Sequence, residues 1–88
     1  MSTWVAHVQW PINTGDGRYL GEQEARTLAD RQGITLVGEP TVTEELLAWV
    51  EGWTDEGGAY VALGMARMID PDAKPNAVLY RFAWDLTE

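Results

Sequence analysis

The chain has no cysteine, one histidine, one lysine and one phenylalanine among its 88 residues. Without cysteine there is no disulfide framework, no thiolate metal site and no cysteine nucleophile, and nothing ties the chain to an oxidising compartment. The lone His7 sits at an outward position of an alternating stretch, with no carboxylate or hydroxyl fixed to it by spacing. It reads as a structural or surface residue rather than a general base. No apolar run approaches the roughly 20 residues of a membrane span, and Met1-Ser2-Thr3-Trp4 lacks the basic and apolar regions of a signal peptide. The expectation is one soluble, cytoplasmic domain with no membrane partner.

Bases are also scarce. Six Lys and Arg face 14 Asp and Glu, a net charge of −8. None of the bases falls between Arg31 and Arg67, a span that holds Glu39, Glu44, Glu45, Glu51, Asp55 and Glu56. This block repels phosphate and argues against direct nucleic-acid binding, which needs cations to displace counterions. It keeps a tryptophan-rich protein in solution, and it also suits a basic protein partner, including mimicry of nucleic acid toward a DNA-binding protein.

What is present is strand and helix periodicity. Trp4, Ala6, Val8 and Trp10 alternate with Val5, His7 and Gln9, which predicts a strand ended by Pro11. Ile12 to Leu20 contains Asn13-Thr14-Gly15-Asp16-Gly17 and reads as a loop. A helix is predicted over Glu22–Gln32, with a Glu22 to Arg26 pair, a narrow stripe of Ala25, Leu28 and Ala29, and Gly33 at the C′ position. Ile34 to Val37 reads as a short strand stopped by Gly38-Glu39-Pro40.

Beyond Pro40 two patterns compete. Thr43 could cap a helix over 43–52, where Leu46, Leu47 and Val50 recur at helical spacing. A hairpin through Asp55-Glu56-Gly57-Gly58 instead sets Trp53 against Tyr60, Val50 against Leu63 and Trp49 against Gly64. A second turn at Asp70–Asn76 then sets Met65 against Phe82, Leu63 against Trp84 and Arg67 against Tyr80. Both turns select the same apolar face, so the chain is expected to form a three-stranded meander over 44–54, 59–70 and 77–87. The expected core is Ala48, Val50, Val61, Leu63, Met65, Val78, Phe82, Trp84 and Leu86, joined by Trp4, Val8 and Trp10. The fold class is α+β: strand, helix, short strand and meander in one mainly antiparallel sheet, with the helix on one face. A second helix at about 43–52 is the alternative.

One short helix covers one face only. The other face then carries Leu47, Trp49, Trp53, Tyr60, Met68 and Leu79, a larger apolar patch than monomers usually expose. These six are the candidate partner-binding residues, with Trp and Tyr as anchors. No catalytic residue, metal ligand or cofactor is expected. Asp70, Asp72 and Asn76 have the wrong spacing for a calcium loop, Gly15-Asp16-Gly17 lacks the Lys and Ser/Thr of a phosphate loop, and Glu44 and Glu45 point to opposite faces. The leading functional expectation is a non-enzymatic interaction protein that forms a homodimer or binds a protein partner. The alternatives are a dimeric α+β barrel holding a small apolar ligand or substrate, and the acidic nucleic-acid mimic.

Overall fold

Alternation over the first residues does produce a strand, β1 (Ser2–Pro11). The computed structural model describes residues 2–53 and 60–86. After β1 come α1 (Gly17–Arg31), β2 (Thr41–Trp49), β3 (Tyr60–Ala62), α2 (Leu63–Ile69) and β4 (Ala77–Leu86). The four strands form one antiparallel sheet in the order β1-β4-β2-β3, an α+β fold as expected.

The C-terminal strand lies inside the sheet. Trp4 faces Trp84 and Val8 faces Tyr80 across β1 and β4, while Val42 faces Phe82 and Leu46 faces Val78 across β2 and β4. This corrects the meander. β4 pairs with β1 and β2, and not with residues 60–70. The apolar alternation of β4 is the same on both of its edges, and β1 supplies a longer alternating complement than the segment after Tyr60 can.

That segment gives only three strand residues before turning into α2. Leu63, Met65, Ala66, Arg67 and Met68 are sound helix formers, and fully buried Ala66 allows α2 to approach Ala48 and Val50 closely. The expected pairs of Leu63, Met65 and Arg67 with β4 are therefore replaced by helical packing, and Met65 is exposed. The alternative helix over 43–52 is likewise not formed: 41–49 is strand, and the second helix comes later. The hairpin register shifts too. Trp49 faces Tyr60 and Ala48 faces Val61, so Trp53 does not face Tyr60. The expected loop at 55–58 lies outside the described residues.

α1 starts five residues earlier than expected. Gly17, expected in the loop, and Gly21 extend the buried stripe to Gly17, Gly21, Ala25 and Ala29 at four-residue spacing, while Leu28 is exposed. The stripe has no large side chain because it lies on an aromatic row. Tyr80, Phe82 and Trp84 stack with centroids 6.2 Å apart in each step. The helix ends as its glycine predicts. Gly33 has φ 74°, its N–H donates to Asp30 C=O, and Ile34 N–H donates to Ala29 C=O, the Schellman pattern. Ile34 is thereby drawn into the cap, and Ile34 to Val37 does not form the expected strand.

Two cores result. Ala6, Val8, Ala25, Phe82 and Trp84 form one beneath α1, and Ala48, Val50 and Ala66 form the other beneath α2. Their side-by-side arrangement gives a radius of gyration of 15.0 Å, against about 12 Å for a compact chain of this length.

Candidate functional site

Register determines which side chains share a face. Facing residues of an antiparallel pair point the same way, and successive residues alternate. Ala6, Val8, Phe82 and Trp84 meet α1, Val42 faces Phe82, and Ala48 with Val61 packs in the cluster that contains Ala66 of α2. These are all on one side of the sheet. Both helices therefore cover the same face, and the other face carries none of the described helices.

The helix-free face holds Thr3, Val5, His7 and Gln9 of β1, Leu79, Arg81, Ala83 and Asp85 of β4, and Thr41, Thr43, Glu45, Leu47 and Trp49 of β2, with Tyr60 of β3. Its β1 end is polar and its β3 end aromatic. Trp49 and Tyr60 meet edge to face, with ring centroids 5.6 Å apart and planes at 76°. Trp49 is 51% exposed and Tyr60 44%. Asn76 holds this end of β2 in place, its Oδ1 accepting from Trp49 N–H at 3.2 Å and its N–H donating to Leu47 C=O at 3.0 Å.

The six candidate residues divide. Leu47, Trp49, Tyr60 and Leu79 share the helix-free face, but Leu47 is only 5% exposed beside buried Ala77, and Leu79 is half-buried. Trp53 follows the Gly52 turn and packs against the Ala48, Val50 and Ala66 cluster, so it belongs to a core. Met68 is 85% exposed but sits on α2, on the helix side. The patch available to a partner is thus narrower than the sequence suggests, and Trp49 with Tyr60 is its centre.

Charged groups are dispersed. His7 is exposed and faces Arg81 across β1 and β4. Arg67, no longer opposite Tyr80, donates from Nε to Ala73 C=O at 3.4 Å. Arg26 pairs with Glu22 at 3.2 Å, as its spacing predicts, and also stacks over the Trp84 ring at 5.4 Å. Among the described residues no three of His, Cys, Asp and Glu lie close enough to hold a metal ion. Open hollows occur beside Arg67, Pro71 and Lys74, and beside Asp16, Arg18 and Tyr19, neither of them at the Trp49–Tyr60 pair. No helix of the described residues is long and apolar enough to cross a membrane. Comparison with protein-family models, with curated proteins and with solved structures gave no match.

Proposed function

We propose that this protein is a non-enzymatic interaction module that docks a protein partner on the helix-free face through Trp49 and Tyr60. The observation that supports it is the pair itself. Two large aromatic rings, each about half exposed, are held edge to face on adjacent strands. Aromatic side chains fixed by their neighbours lose little entropy on binding, which is why Trp and Tyr dominate interface energies. The acidic surface adds a preference for a basic rim on the partner and accelerates its approach at low salt.

A barrel enclosing a small ligand needs a second sheet over this face, and the mimic of nucleic acid rests on net charge alone. The mimic is an outcome of the following experiment. Immobilised wild-type protein is compared with a Trp49→Thr/Tyr60→Thr variant and with Met68→Ser as control, at low and high salt. Threonine suits an exposed strand, so circular dichroism should be unchanged. A partner recovered by wild type and Met68→Ser but lost by the double variant supports the aromatic contact. A partner retained by the double variant and released by salt would instead support the mimic.

A further inference from the structure

The longest strand at the sheet margin has one edge with no partner among the described residues. β1 pairs with β4 on one side only, and it carries no Asp, Glu, Lys or Arg from Ser2 to Pro11. Natural sheets protect such edges with lysine, bulges, short strands or covering segments. The register of β1 against β4 runs unbroken over ten residues, so there is no bulge, and only Pro11 at its end is of the protective kind.

The direction of the free groups can be worked out. Ile12 N–H donates to Asn76 C=O, on the β4 side. Backbone groups alternate along a strand, so Trp4, Ala6, Val8 and Trp10 also turn theirs toward β4, while Thr3, Val5, His7, Gln9 and Pro11 turn theirs outward. Pro11, which has no N–H, occupies one of the outward positions, where no bond to β4 is lost.

We propose that β1 pairs antiparallel with β1 of a second copy, joining two sheets into one of eight strands. The occupant is a second copy because the edge is self-complementary in hydrogen bonding and carries no Asp, Glu, Lys or Arg to repel its like. Facing residues must share a face, so in a two-fold pairing their numbers add to an even total. With His7 facing His7 across the axis, Val5 faces Gln9, Ala6 faces Val8 and Trp4 faces Trp10. The outward N–H groups of Thr3, Val5, His7 and Gln9 then all find carbonyls, those of Pro11, Gln9, His7 and Val5. Moving the axis to Ala6 would lose the Trp4–Trp10 cross-strand contact, which favours His7 at the centre. Elsewhere a net charge of −8 opposes the approach of a second copy, whereas this strand carries no Asp, Glu, Lys or Arg. His7 neighbours only one charged group across β1 and β4, Arg81, on the helix-free face. The assembly would keep both Trp49–Tyr60 pairs on one side, at opposite ends of the joined sheet.

The test uses the full chain in sedimentation and amide exchange. Wild type should be dimeric, with amides of Val5, His7 and Gln9 protected in a concentration-dependent way while those of Ala6 and Val8 are protected at every concentration. His7→Asp and His7→Lys should each raise the dimer dissociation constant by at least about tenfold, through like charges facing across the axis. Mixing the two variants should restore dimers. Trp49→Thr/Tyr60→Thr should leave this dimer intact, so failure of the partner-docking face and failure of the edge pairing are separable. A monomeric wild type at high concentration overturns the proposal. So does a dimer indifferent to both His7 variants, or one that their mixture does not restore.

Discussion

A β-carbon added to Gly21 would lie 3.1 Å from Cε2 and 3.2 Å from Cζ of Phe82. Phe82 has no exposed surface and is held in a stack between Tyr80 and Trp84, so its ring cannot yield without disturbing both. Alanine normally stabilises a helix interior relative to glycine by about 0.8–1 kcal/mol, but overpacking of a tight contact costs about 1–3 kcal/mol. Gly21→Ala should therefore destabilise by about 1 kcal/mol, lowering the midpoint of thermal unfolding by roughly 4–8 °C.

The reverse sign is expected at Gly64 in α2. A β-carbon at this position would meet nothing within 4 Å, and the residue's φ is negative. Gly64→Ala should raise stability by about 0.4–1 kcal/mol, chiefly by restricting the unfolded chain. Equal effects of the two substitutions in a denaturant titration would refute the role given to the Gly21 contact.

Gly33→Ala tests the helix terminus. A left-handed φ of 74° costs a residue with a β-carbon roughly 1–2 kcal/mol, and both Schellman bonds depend on that turn. A loss of about 1 kcal/mol is expected, with faster amide exchange at Gly33 and Ile34 before global unfolding.

Arg26 has three contacts of unequal worth, the weakest a 3.9 Å approach to exposed Glu39. The part-buried, one-turn pair with Glu22 contributes about 0.3–0.5 kcal/mol, and stacking over Trp84 contributes about 0.5–1 kcal/mol. Glu22→Gln should cost less than Arg26→Ala. High salt should narrow the effect of the first and leave most of the second, since a stacked guanidinium also covers apolar surface.

The Trp49–Tyr60 contact contributes to the fold as well as to the surface. Edge-to-face pairs are worth about 0.5–1.5 kcal/mol beyond area burial, and the coupling energy from a double-mutant cycle with threonine should fall in that range. A coupling of zero would mean the two rings are not held together in solution, and the preorganised docking pair would be lost.

The sequence by itself determined the elements whose signal is local. The alternation of Trp4, Ala6, Val8 and Trp10 dictated β1, the four-residue spacing of Glu22 and Arg26 set up their ion pair, and Gly33 fixed the end of α1, because each depends on neighbours within a few residues. The antiparallel α+β class and half of the buried core, with Phe82 and Trp84 at its centre, followed from the same patterns. Only the tertiary structure decided the rest. Gly17 looks like a turn former, and Gly21 like a residue outside the helix, until the aromatic row of β4 requires a helix face without β-carbons. Ile34 to Val37 has strand propensity that the Schellman cap overrides. The segment after Tyr60 suits strand and helix about equally, and close packing of Ala66 on Ala48 and Val50 settled it as α2. That choice released β4 to pair with β1 and β2, moved Met68 to the helix side and placed Trp53 in a core. Trp49 and Tyr60 were left together on the helix-free face because strand pairing is non-local: a register shift changes every cross-strand neighbour while leaving the sequence pattern unchanged.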